Sequence, residues 1–189
     1  MTSTWIRRTW LAAATMAFLA GGLAAASWTP NGDDDRRRDA VAELRSKHLK
    51  LPVEAAKIEA MRGQFGERRG GGNRGHEAVD LLAPRGTPVR AVESGRIAKL
   101  FRSKTGGITV YQFDPSNRFC YYYAHLDRYA AGLREGEKVD DGEIIGYVGT
   151  TGNAPANTPH LHFAIFELTS EKHWWQGTPI DPFLAFGGA

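Results

Sequence analysis

The sequence predicts a mainly β, antiparallel sandwich or barrel-like domain, preceded by an N-terminal apolar leader helix and a short helical linker. Three observations predict it. From Leu51 onward, short runs rich in β-branched and aromatic residues alternate with glycine-containing turns. No long helical period separates those runs, which argues against a parallel α/β sheet. Glycine is abundant, 22 of 189 residues against a usual ~7%, as many tight turns require. The length suits one domain of ~100–200 residues plus a short appendage. With 42% hydrophobic and 24% charged residues, the chain can bury a core, which excludes wholesale disorder and a polytopic membrane protein.

The leader spans residues 1–26. Arg7 and Arg8 precede an uncharged stretch from Trp10 to Ala26 that closes on Ala24-Ala25-Ala26. A basic start, an apolar centre and a small-residue end make a secretory signal, with cleavage before Ser27. The stretch also reaches the lower edge of the ~17–25 residues that span a membrane. Its basic flank would then stay in the cytoplasm. Cleaved or retained as an inner-membrane anchor, the leader sends the rest to the periplasm or cell envelope. Without Arg7 and Arg8, 22 Lys and Arg face 21 Asp and Glu. That balance gives no charge-based case for nucleic-acid binding.

Residues 27–50 read as the linker. Trp28 to Gly32 is turn chemistry, and Asp33–Asp35 suit the positive end of a helix. Val41, Leu44, His48 and Leu51 recur at helical spacing until Pro52, which makes His48 a packing residue on an apolar stripe. The β domain then covers 51–189. Its clearest strands are Arg96–Arg102, Ile108–Asp114, Phe119–Leu126, Glu143–Thr150 and Leu161–Leu168. Turns fall at Thr105-Gly106-Gly107, Asp141-Gly142 and Thr151-Gly152-Asn153.

Three patterns within that domain carry chemistry. In Gly75-His76-Glu77-Ala78-Val79-Asp80, the i, i+4 spacing puts His76 and Asp80 on one face of a strand or helix. Glu77 points elsewhere if the segment is a strand. In Pro159-His160-Leu161-His162-Phe163, period-two alternation puts both histidines on one face and Leu161 and Phe163 in the core. In Tyr121-Tyr122-Tyr123-Ala124-His125-Leu126, strict alternation groups Tyr121, Tyr123 and His125, and turns Cys120 away from His125. The single cysteine excludes an internal disulfide and a cysteine-cluster metal site. Four of the six histidines fall in these patterns. A metal site explains them better than four separate structural histidines. Two imidazoles and one carboxylate suit zinc with an open fourth position; the same donors also suit non-haem Fe(II). Spacing does not choose between His160 and His162 as ligand.

The order HxxxD, then YAHL, then PHLHF resembles the M23, or LytM/lysostaphin-type, zinc metallopeptidases, which cut peptide bonds in bacterial cell walls. The resemblance runs from about Pro52 to Phe183. It includes Phe65-Gly66, Ala83-Pro84-Arg85-Gly86-Thr87-Pro88-Val89, Gly142–Gly149 and Pro179-Ile180-Asp181-Pro182. It implies a duplicated-hybrid-motif fold and one zinc ion on His76, Asp80 and His162. It also implies that His125 and His160 flank the metal-bound water without binding zinc, and that the substrate is a peptidoglycan peptide. Membrane attachment through the leader and control by a regulatory protein partner are further expectations. Ala78 stands where members commonly carry glycine, and Gly70–Gly75 lacks the tyrosine that some members place before the first ligand. There is no HExxH helix to supply a glutamate base. Two other classes resemble this pattern. Non-catalytic LytM-like modules that bind the wall or activate an amidase typically lose ligands, whereas all five positions stand here. Phosphocarriers of the glucose-type IIA class need neither an export leader nor the full HxxxD and HxH set.

Overall fold

A computed structural model describes residues 32–69 and 74–188. The expected leader and the start of the linker lie outside the described residues. Among those described, no helix is long and apolar enough to cross a membrane.

Helix α1, Gly32–Ser46, begins with Asp33, Asp34 and Asp35 at its positive end. It stops short of His48, which takes a left-handed backbone at φ 51 and is exposed. The expectation of a packing histidine is therefore corrected. The chain must turn there so that the Lys50 N–H can donate to the Val92 carbonyl at 2.8 Å. Ala40 and Leu44 of α1 are fully buried in the main core. Lys47 lies 3.1 Å from Asp114 and 3.4 Å from Glu93, and Arg118 pairs with both Glu43 and Glu167. Helix and sheet thus share one core and form one compact unit.

After a 3-10 turn at Ile58–Met61 come two short paired strands, β1 (Arg68–Arg69) and β2 (Arg74–Gly75). Nine further strands form one antiparallel sheet. They are β3 (Val79–Leu82), β4 (Pro88–Arg90), β5 (Gly95–Ser103), β6 (Gly107–Phe113), β7 (Phe119–Tyr129), β8 (Lys138–Val139), β9 (Ile144–Val148), β10 (His160–Leu168) and β11 (Gly177–Ile180). A short helix, α2 (Pro182–Ala185), follows, capped by the Asp181 side chain. The main order is β11-β10-β7-β6-β5-β8, with β3 on β10 and the β4-β9 pair joined to β7. Strand β7 pairs with β6 and β10 through its first residues and with β9 through its last. One face of the central strands, carrying Val110, Tyr121, Tyr123, Phe163 and Ile165, is fully buried in the main core. The opposite face carries the histidines.

Two glycines sit where a side chain could not. Gly107 (φ 68) and Gly152 (φ 76) back onto each other, and a Cβ on Gly152 would fall 2.4 Å from the Gly107 nitrogen. This contact joins the β5–β6 turn to the loop after β9, beside the histidine cluster.

Candidate metal centre

Strand β10 is the platform. Its antiparallel pairing with β3 sets Asp80 opposite His162 and Leu82 opposite His160. Its pairing with β7 sets Ala124 opposite His162. Leu161 and Phe163 are fully buried in the core, and His160 and His162 take the other face, as the alternation predicts. His76 precedes β3 in a segment that is neither strand nor helix. Its main chain is anchored by hydrogen bonds to Glu67 and from Gly66, each 2.8 Å. Glu77 falls in the same irregular segment, so strand alternation does not apply to it; it is exposed and lines the same groove as His76. The Ala78 methyl is buried.

Three donor atoms converge. His76 Nε2 lies 3.3 Å from Asp80 Oδ1 and 3.3 Å from His162 Nδ1, and His162 Nδ1 lies 2.9 Å from Asp80 Oδ1. A tetrahedral centre with bonds of ~2.0–2.2 Å has donor–donor edges of about 3.3–3.6 Å. His76 Nδ1 faces the Gln64 carbonyl at 3.1 Å. A carbonyl only accepts, so the ring proton sits on Nδ1 and Nε2 presents a lone pair to the other two donors. Lone pairs this close repel one another unless a cation or proton lies among them. Two of the three edges match a small divalent ion, and the 2.9 Å edge between His162 and Asp80 would open slightly around one. His160 Nε2 is farther out, 3.9 Å from Asp80 Oδ1, and its Nδ1 donates to the Thr158 carbonyl at 2.8 Å.

His125 reaches this cluster against the simple alternation. Ile108 pairs with Leu126 but Val110 with Tyr123, so two residues of β7 oppose one of β6. At this bulge His125 adopts φ 58, a conformation that costs a non-glycine residue energy and tends to mark functional positions. Its ring centroid lies 4.9 Å from that of His160 and 5.6 Å from that of His162. Tyr121 and Tyr123 stay in the core, where the Tyr123 hydroxyl donates to Gln112 and accepts from the Val92 N–H. The expected grouping of His125 with those tyrosines is corrected by the bulge, and Tyr123 is a packing residue. Burial, reinforced by the neighbouring His162 and His160, pushes the His125 pKa down to about 4. It is uncharged at neutral pH.

Two positioning residues escaped the sequence reading. The Gln64 side chain accepts from the Asp80 N–H at 2.7 Å and donates to the Asp80 carbonyl at 3.2 Å, while its own carbonyl holds His76. Gln64→Ala is expected to weaken metal affinity ~10–100-fold, as read by chelator competition. Thr151 holds His125. Its hydroxyl accepts from Ile108 N–H at 2.9 Å and donates to the Leu126 carbonyl at 2.7 Å, and its carbonyl accepts from His125 Nδ1 at 2.8 Å. Thr151→Val should lower turnover by up to ~100-fold through misplacement of that imidazole, with metal content unchanged and Thr151→Ser largely restoring it. Neither residue has a motif of its own; only the adjoining Phe65-Gly66 and the Thr151-Gly152-Asn153 turn hint at them.

Residues 74–182, which contain all five of these histidine and aspartate positions, match the profile of Peptidase family M23. The chain belongs to family M23. The L-Ala–D-Glu endopeptidase of Bacillus subtilis is 30% identical, over 78% of this chain and 50% of its own length. The peptidoglycan DD-endopeptidase ShyC of Vibrio cholerae is 31% identical, over 64% of this chain and 27% of its own length. The chain thus spans about half of the first relative and about a quarter of the second. Among solved structures, the catalytic domain of lysostaphin from Staphylococcus simulans superposes with a TM-score of 0.51 at 27% identity. That match covers 76% of this chain and 96% of that domain.

Other side chains near the centre of this M23 chain separate clearly. Cys120 shares the histidine-bearing face through its register with Phe166, so alternation is not what removes it from His125. It is removed by burial beneath Trp174, which also pushes its thiol pKa up. Trp174 packs on Phe101 and Tyr111, with ring centroids at 5.3 and 4.7 Å. Trp175 stands 61% exposed. Tyr122 lines the groove with its ring 6.0 Å from that of His162.

Proposed function

We propose that this chain is an exported zinc endopeptidase that hydrolyses peptide bonds of bacterial peptidoglycan. The observation that carries the reading is the convergence of His76, Asp80 and His162 on a groove also lined by His125, whose ring stands against that of His160. Membership of family M23 and the endopeptidase names of two relatives support the reaction class, and the peptidoglycan in the name of the second supports the substrate.

In this reading His76, Asp80 and His162 hold the ion, and His125 and His160 work beside it without binding. A zinc ion held by His76, Asp80 and His162 would supply Lewis acidity, which brings the pKa of water from about 15.7 to roughly 7. The protein supplies the rest. His125 and His160 each donate Nδ1–H to a main-chain carbonyl, which leaves Nε2 as the free nitrogen on each ring. Neutral His125 is ready to accept a hydrogen bond or a proton from the attacking water. Whichever of the two imidazoles takes up that proton then carries Nε2–H, through which it can donate to the oxyanion and return the proton to the departing amine. Residues 51–189, with α1 docked against them, form the catalytic unit. Residues 1–26 direct the chain out of the cytoplasm and serve, if retained, as its membrane attachment.

The test is metal analysis of the purified chain, followed by digestion of purified peptidoglycan and mass spectrometry of the fragments. One zinc per chain and peptides with a new amino terminus are expected, and the terminus identifies the bond. A zinc-loaded chain that releases no peptide would overturn the reading.

A further inference from the structure

From the donor cluster an aromatic series runs along the same face of the sheet. His162 meets Tyr122 at 6.0 Å between ring centroids, Tyr122 meets Tyr111 at 4.6 Å, and Tyr111 meets Trp174 at 4.7 Å. Trp174 then touches Phe101 at 5.3 Å and Trp175 at 5.1 Å. Tyr111 and Trp174 close over a small second core formed by Phe113, Cys120 and Leu168. The outer end of the series is open to solvent. Among the described residues four large apolar side chains are exposed, and two of them, Trp175 and Phe101 (39% exposed), flank Trp174. Trp175 does not wave freely: it stacks on His173 with centroids 4.5 Å apart and planes 19° from parallel. An indole stacked in place at the solvent end of a ring series that starts from the groove-lining Tyr122 is the form of a binding ledge.

We propose that this ledge, with Trp175 at its edge and Phe101 beside it, binds the sugar rings of the glycan strand whose attached peptide enters the metal groove. The inference rests on the peptidoglycan reading above. Peptides of the kind named for the B. subtilis relative, alanine and glutamate, offer an indole little apolar surface. A pyranose ring presents a flat face of C–H groups, which packs on the negative face of an aromatic ring, while its hydroxyl and amide groups stay in water. An extended peptide, advancing ~3.3–3.6 Å per residue, would lead from a sugar on the ledge towards the donor cluster. The ledge would thereby select peptides still attached to glycan over free ones.

The test titrates the metal-loaded full chain with the β-1,4-linked tetramer of N-acetylglucosamine, followed by tryptophan fluorescence and calorimetry. Saturable binding is expected, weakened about tenfold or more by Trp175→Ala, as for a central aromatic anchor. Phe101→Ala should weaken it less, and Leu184→Ser, whose exposed leucine lies on α2, should bind as the parent does. Absence of saturation at millimolar tetramer would overturn the proposal, as would equal affinity in Trp175→Ala with its fold intact by circular dichroism. Sedimentation adds a third arm: a Trp175-dependent dimer with no sugar binding would assign the ledge to a second copy of the chain. The tetramer contains no peptide, so its failure to bind leaves the peptidase reading intact. Sugar binding without peptide release from the wall would instead remove the peptidase reading and keep the ledge.

Discussion

His162→Ala is expected to abolish stoichiometric metal binding and, with it, hydrolysis. The imidazole Nδ1 forms two edges of the donor triangle, 3.3 Å to His76 and 2.9 Å to Asp80. Without it a histidine and a carboxylate remain, too few protein donors for a tight zinc site. Lewis-acid stabilisation is worth several kcal/mol, and each 1.36 kcal/mol is tenfold in rate, so turnover should fall by ~10³-fold or more. Elemental analysis after dialysis checks the metal, and release of peptides from purified peptidoglycan checks the rate. His76→Ala should behave alike, because its other nitrogen is already committed to the Gln64 carbonyl. Retention of one zinc per chain by His162→Ala would remove this ligand assignment.

His125→Ala and His160→Ala should give the opposite pattern, full metal content with turnover lowered by ~10²–10⁴-fold, the usual contribution of positioned acid–base groups. His125 is not part of the donor triangle, and His160 Nε2 stands 3.9 Å from Asp80 Oδ1, outside its 2.9–3.3 Å edges. The pH profile adds a signed expectation. With the His125 pKa pushed down to about 4, its neutral form persists as pH falls from 8 to 5. The decline of turnover over that interval should therefore keep its midpoint in His125→Ala, only with a lower ceiling. Equal metal loss in His125→Ala, His160→Ala and His162→Ala would mean that the cluster is a closed structural site.

Much of this molecule was legible from residue order. The β-rich body follows from β-branched and aromatic runs, and the expected strands at Arg96–Arg102 and Leu161–Leu168 differ from β5 and β10 by one residue at most at each end. Glycine marked the turns because Gly107, Gly142 and Gly152 all require positive φ. Helix α1 is visible in its acidic first turn, but it ends at Ser46, before its apolar spacing does. The apolar spacing through His48 continues past Ser46, while the backbone turns to bond Val92, and a distant strand leaves no mark in local periodicity.

The site divides along the same line. Residue order alone offers the candidate donors, and it sets the common face of His160 and His162, because side chains in a regular strand alternate whatever their partners. That His125 joins them is visible only once the strands have paired. Its direction depends on a bulge fixed by the mismatch between β6 and β7, and pairing across strands is a property of two segments at once. Glu77 at the groove, Gln64 behind Asp80 and Thr151 behind His125 belong to that second kind of information. Their roles come from main-chain groups that meet only when separate segments pack, and any residue type carries those groups.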